Sequence, residues 1–420
     1  MPRRSTLPRT LVLVVTLILV GRPVSAAPGD PDPAFSANGT AVVFTQGSVG
    51  TAVVLDPRGR TTVAGYSVDD EVDVVVARFL PDGTLDPAFG GGDGRVRLDL
   101  GGADHVFDAA LVPGAGIVLA GVRTTADADV AFVLRLGDRG RPLASFADDG
   151  LRTISFAKRY QVANAIAVTD TGRFVVGGWV SNGGTSRSAF ARLLPDGSLD
   201  AAFSRDGRAT VNLSEGAEQI RDLTVLDNGR ILGAGSAEGG ANDLFALVRL
   251  LPNGRLDPRF GAEEGFTLTN VGRGADSAAA IAVRSDGRIV LAGSSGGGWG
   301  VVRFLRGGGH DASFGASGEV TLGLGRGPEA AYDVVPVGVR LLVVGTLRGT
   351  GSPDLAVVRL KDSGEPDGSF AGDGVALLEV AGGPDTARAA ALADGRRLVV
   401  GGDTWAHGRP RLLAARILTR

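Results

Sequence analysis

Any chemistry in this chain is done without thiols. It holds no cysteine and only three histidines, which removes thiolate catalysis, disulfides and cysteine-held metals and leaves little for imidazole sites. Carboxylates are plentiful. Asp108, Asn164, Asp222 and Asp333 each stand near the start of an apolar run that returns along the chain. Paired acids so placed suit cleavage of a polysaccharide, which needs two carboxyl groups at a set separation. The sequence alone brings no two of them together.

Aromatic residues with a polar edge form the second class. The three Trp and three Tyr all fall outside the repeated phrases. Tyr66, Trp179, Trp299 and Trp405 read as loop residues within repeat units, and Tyr160 and Tyr332 stand where units join. Such rings, beside carboxylates, suit sugars or peptide segments. Together with Asp108 and Asp222 they make the candidate binding set. No catalytic residue, metal ligand or cofactor is assigned. The stretch GSSGG (293–297) matches the GxSxG pattern by letter, without a strand-to-helix context or a His or acid partner. GLGRG (323–327) lacks the strand–helix setting of a dinucleotide loop. The Asp-Gly pairs of GGGDGRV (90–96), FADDG (146–150) and SRDGR (204–208) lack the alternating acids of a calcium loop and read as turns.

The elements that position these residues repeat. LPDGTLDPAFG (80–90) returns as LPDGSLDAAFS (194–204) and LPNGRLDPRFG (251–261), and in weaker form at 306–315 and 362–372. Its phenylalanine falls at Phe35, Phe89, Phe146, Phe203, Phe260, Phe314 and Phe370, with spacings of 54, 57, 57, 57, 54 and 56 residues. A second phrase keeps the same beat, from TTVAG (61–65) through IVLAG (117–121) to LVVGG (398–402). Each unit holds four short apolar runs; in the fourth they are 220–226, 230–235, 244–250 and 265–270. Tight turns such as DNGR (227–230) separate them, with glycine available for positive φ. Glycine makes up 66 residues, a density that forbids the longer helices of helical repeats.

Four strands per unit of about 56 residues predict an all-β, seven-bladed β-propeller of antiparallel sheets. The chain ends on a third strand (412–420), and residues 30–44 supply the missing turn and fourth strand. The N-terminal strand is therefore expected to complete the last blade and close the ring over residues 27–420, as one domain. The pattern resembles the delta-60 repeat family of bacterial secreted β-propellers, whose units carry an LPDGxLDxxFG turn and a DGRIVLAG hairpin. The resemblance covers roughly residues 30–420 and implies this fold without implying an activity. The second unit departs from it, with Leu143 where the turn Asp belongs.

One arginine recurs in every third strand: Arg78, Arg135, Arg192, Arg249, Arg303, Arg359 and Arg416. The turn acid recurs in six units as Asp32, Asp86, Asp200, Asp257, Asp311 and Asp367. The arginines could form a binding ring. A residue needed identically seven times more naturally clamps its turn Asp, with the phenylalanine plugging the seam.

Residues 1–26 read as a secretory signal peptide: a basic head at Arg3, Arg4 and Arg9, ten apolar residues (Leu11–Val20) and a Val24-Ser25-Ala26 cleavage site. Without them, 39 basic residues face 46 acidic ones, and no basic stripe offers itself to nucleic acid. No later run is long enough to span a membrane. The expected protein is a secreted or periplasmic monomer, a non-catalytic module recognising an extracellular or envelope glycan or protein. The alternatives are a hydrolase or lyase using acids at the channel mouth, and a structural cell-surface element.

Overall fold

The computed structural model describes residues 26–43, 47–323, 329–348 and 352–420. The signal-peptide reading, apart from Ala26, and GLGRG, apart from Gly323, lie outside the described residues. Among those described, 28 strands form six sheets, five of four strands and one of eight. The larger sheet is two antiparallel groups of four, joined by a single parallel pair, Tyr160 with Asp129. No helix is long and apolar enough to cross a membrane among the described residues.

The fourth unit illustrates why these residues form strands. Glu218–Val225, Ile231–Glu238, Asp243–Leu250 and Phe266–Thr269 pair in sequence order, within a few residues of the four apolar runs. The second strand is buried on both faces, so its sequence is continuously apolar rather than alternating. Asn228 Oδ1 accepts the Arg230 amide at 3.1 Å and Gly229 takes φ 76°, which closes the preceding hairpin.

The first strand of each unit lies beside the first strand of the next: Ser48–Leu55, Ala103–Leu111, Tyr160–Val168, Glu218–Val225, Asp276–Val283, Ala330–Val337 and Asp385–Ala393. The last of these packs against Ser48–Leu55 in turn. Thr40–Val43 pairs antiparallel with Arg409–Leu418, with Thr40 opposite Ala415 and Val43 opposite Leu412. Apolar clusters fill each seam, including one that joins Phe35, Val43 and Leu412 to Val63, Val75 and Phe79.

The recurring arginine is a seam clamp. Arg303 Nε donates to Asp311 Oδ2 at 2.8 Å, its Nη1 donates to the Asp362 carbonyl of the next unit, also at 2.8 Å, and its guanidinium stands 4.7 Å from the Phe314 ring centre. Arg78, Arg192, Arg249 and Arg416 repeat all three contacts; Arg359 keeps the carbonyl and the ring and meets Asp367 as an ion pair at 2.9 Å rather than through an Nε hydrogen bond. Arg135 keeps the carbonyl of the next unit and the ring, but has no acid in its turn. The plugging phenylalanines are all buried. A turn glycine of the next unit lies against six of the rings, Phe370 being the exception: a Cβ on Gly197, itself at φ 86°, would come within 3.0 Å of Phe146.

Three sequence expectations change. Tyr66, Trp179, Trp299 and Trp405 sit in strands rather than loops. Trp299 is 0% exposed, packed in the core between its own unit and the next, and donates from Nε1 to the Thr346 carbonyl at 3.2 Å. It is therefore a core residue and not part of an open face. Asp108, Asn164, Asp222 and Asp333 lie at the mid-strand bulges rather than at the strand starts.

Candidate groove and channel mouth

Two of the candidate aromatics share a hollow. Tyr160 opens the first strand of the third unit and Trp179 lies near the end of its second strand, the two strands being paired. Their half-buried rings line an open groove of about 500 Å³ together with Ser181, Gly184, Ser186 and Gln219. The next unit contributes Gln219. Its Nε2 donates to Ser236 Oγ at 3.3 Å. Arg159 stands 5.3 Å from the Tyr160 ring centre. Flat rings beside hydroxyls and an amide suit the apolar face and hydroxyls of a sugar.

The second cluster gathers where the first strands run side by side. Each of them carries a β-bulge, and the extra residues are Thr51, Phe107, Asn164, Arg221, Ala279, Tyr332 and Arg388. Arg388 Nε donates to Asp403 Oδ1 at 2.8 Å, and its guanidinium lies 5.5 Å from the Tyr332 ring centre. Burial pulls the Arg388 pKa down, but Asp403, with Tyr332 and Tyr66 adding to it, makes the net shift upward. Burial holds the Tyr66 phenol up, with Arg388 acting the other way. Tyr66 meets His105 edge-on at 4.6 Å, and burial lowers the His105 pKa. Thus Tyr66 and Tyr332 both fall within reach of Arg388, while Trp405, 41% exposed at the tip of the last hairpin, stands apart.

Asp108, Asp222 and Asp333 occupy the position after the bulge in the second, fourth and sixth units. Each ties two units together. Asp108 Oδ1 accepts the Ala109 amide and Oδ2 the Ile166 amide of the next unit, both at 2.7 Å. Asp222 does the same with Leu223 and Ile281, and Asp333 with Val334 and Ala390. Desolvation, reinforced by Asp333, lifts the Asp108 carboxyl to about 7. Desolvation alone lifts Asp333 to about 6. Asp222 is raised by burial and by both of the others. Both oxygens of each acid are held by backbone donors, so these carboxyls serve as clips between inner strands.

Sequence reasoning missed Phe107, Arg221 and Arg388. Their signal was present: the bulge recurs in phase with the repeat, and reading down that one column would have picked them out. Two other hollows, of about 400 and 640 Å³, open beside the repeated hairpin turns, lined by Thr169, Asp170 and Asp227 or by Asn228 and Ser285. GSSGG spans the end of one strand and the tight link to the next.

Three segments of the chain, residues 59–89, 170–203 and 226–260, match the family model described as domain of unknown function (DUF5122) beta-propeller. These are β-propeller repeats. No curated protein matches the chain. Among solved structures, the propeller resembles a catalytically inactive variant of virginiamycin B lyase from Staphylococcus aureus with quinupristin. Identity is 11%, with 90% of this chain and 98% of that chain covered and a TM-score of 0.55. The selenomethionine-substituted form of that lyase gives 11% identity, the same coverages and a TM-score of 0.54. Polysaccharide lyase Uly1 gives 10% identity over 88% of this chain and 90% of that one, with a TM-score of 0.49. At these identities the likeness to the virginiamycin B lyase structures is one of fold, and fold by itself does not carry activity across.

Proposed function

We propose that the chain is an exported, seven-bladed propeller of the delta-60 type, closed by its N-terminal strand, and that it acts as a non-catalytic module binding an extracellular or envelope glycan. The pairing of Thr40–Val43 with Arg409–Leu418 and the sheet-to-sheet packing support the closure. The basic head and apolar run before Ala26 support export. The observation that carries the binding reading is the groove in which Tyr160 and Trp179 meet beside Ser186 and Gln219. Rings stack on sugar faces while the amide and hydroxyls read sugar hydroxyls, and the site needs no cofactor.

The test is a glycan and peptidoglycan-fragment array probed with the protein lacking residues 1–26. Tyr160→Ala and Gln219→Ala should each abolish the binding found, with the melting temperature nearly unchanged. Binding that survives both substitutions would remove the groove from the function.

A second reading, a polysaccharide hydrolase or lyase, has one observation in its favour. Asp108 and Asp222 are held protonated at higher pH than ordinary carboxyls, as a general acid must be. Against it stand the two backbone donors on each acid, which leave neither carboxyl turned towards a substrate. Turnover lost in Asp222→Asn but kept in Tyr160→Ala would favour the enzyme.

A further inference from the structure

The face that carries the repeated hairpin turns holds one seam unlike the others. Between the fourth and fifth units it opens into a hollow of about 640 Å³, against about 170 Å³ between the first and second. Three guanidiniums meet there: Arg230 from the hairpin, Arg249 from the seam clamp, and Arg306 from the fifth unit. Arg230 Nε donates to Asp257 Oδ2 at 2.9 Å, and Arg306 Nε donates to the Asp286 carbonyl at 2.8 Å. Neither guanidinium makes a further hydrogen bond among the described residues, so the terminal nitrogens of both have no protein partner. Arg249 Nε shares Asp257 at 3.0 Å, and its Nη1 donates to the Arg306 carbonyl at 2.8 Å. One buried acid therefore answers two of the cations, and none answers Arg306. Arg284 also lines the hollow but is paired with Asp286 and Asp362. Asp227, the acid of the lining, makes no ion pair among the described residues.

The first seam reveals what this place accepts. There Asp138 holds the position of Arg306, because Arg78 Nη1 donates to its carbonyl as Arg249 Nη1 does to that of Arg306. The Asp138 carboxylate accepts from Arg60 Nη2 at 2.7 Å and from Arg78 Nη1 at 3.3 Å. Arg60 and Arg78 are the counterparts of Arg230 and Arg249, so the chain fills its own hollow with a carboxylate. Asp362 does likewise with Arg303, at 2.8 Å, between the fifth and sixth units. Pro81, Pro195, Pro252 and Thr419 hold the position in the remaining seams and bring no charge. Arg306 is the one cation among the seven.

We propose that the seam between the fourth and fifth units binds a small molecule through its carboxylate, which takes the place that the Asp138 side chain takes in the first seam. Arg230 and Arg306 supply donors from the two units, and planar forks fixed at Nε match the paired oxygens of a carboxylate. Val225, Leu232, Val283 and Ile289 also line the hollow, so the body of the ligand rests on carbon. A sugar acid and a free organic acid share this chemistry. The site lies at the opposite ends of the strands from the Tyr160–Trp179 groove and does not depend on it.

The test is calorimetry on the protein lacking residues 1–26, titrated with glucuronate, hexanoate, glucose and inorganic phosphate. At least one of the two carboxylates should bind, and more tightly than glucose or phosphate. Glucuronate alone would make the ligand a sugar acid, and hexanoate alone a free organic acid. Arg306 is exposed, so Arg306→Asp should fold as the parent does, read by circular dichroism. It should abolish binding, because it presents the carboxylate that the first seam carries. Arg306→Pro, which brings the residue of three other seams, should weaken binding at least about tenfold through the loss of a charged donor. Absence of binding by both carboxylates, tighter binding of glucose or phosphate, or undiminished affinity in either variant would overturn the proposal.

Discussion

Arg416 Nε donates to Asp32 Oδ2 at 2.7 Å, joining residues 384 positions apart in the chain. Around this pair the guanidinium lies 5.0 Å from the Phe35 ring centre and Nη1 donates to the Pro81 carbonyl at 2.6 Å. The two chain ends and the first unit thus meet at one buried ion pair, built like the clamps inside the other units.

Removing residues 27–45 should strip the strand opposite Leu412–Ala415 and bare an unpaired edge. The expected result is aggregation or loss of cooperative unfolding, read by light scattering and urea denaturation. The milder Phe35→Ala should cost about 3–5 kcal/mol for the cavity left in the seam. A truncated protein that stays monomeric and unfolds like the parent would show that the chain ends are not what holds the sheets together.

Arg249→Ala should destabilise by about 2 kcal/mol, because Asp257 loses a half-buried partner at 3.0 Å and keeps only Arg230, while the seam loses the bond to the Arg306 carbonyl. Arg135→Ala should cost clearly less, about 1 kcal/mol, since Arg135 faces Leu143 and loses one carbonyl bond at 3.1 Å and its ring contact. Equal losses in urea unfolding would mean that the acid contributes little to the clamp.

Asp333 is protonated more readily in the folded protein, at about 6, than in the unfolded chain. Its contribution to stability is therefore complete below the ordinary aspartate range near 4 and is lost as pH rises through about 6. Asp108 adds the same sign up to about 7. Thermal melts from pH 4 to 7 should show Asp333→Asn flattening the fall in stability seen in the parent. An unchanged slope would place the titrating charge elsewhere.

Trp299→Ala should cost about 3–5 kcal/mol, as a fully buried indole leaves a cavity and the Thr346 carbonyl loses its donor. Trp405→Ala, at the exposed tip of a hairpin, should change stability by no more than about 0.5 kcal/mol. Chemical denaturation of the two variants reads the difference directly.

The sequence by itself determined the repeat, its four strands, the glycine turns and the arginine–aspartate pairing, because all are local or recur at a fixed spacing. Strand periodicity and turn chemistry act within a few residues, and Arg303 and Asp311 are only eight apart. The departure at Leu143 was legible for the same reason. Tertiary structure decided which aromatics face solvent. Trp179, on a second strand, lines a groove beside Gln219 of the next unit, whereas Trp299, on a third strand, fills a core against Gly345 of the next. It also decided the role of Asp108 and Asp222, whose partners Ile166 and Ile281 stand 58 and 59 residues away. Those contacts depend on how one twisted sheet rotates against the next and on where a bulge turns a side chain, and neither is encoded in the spacing of residues along a single strand.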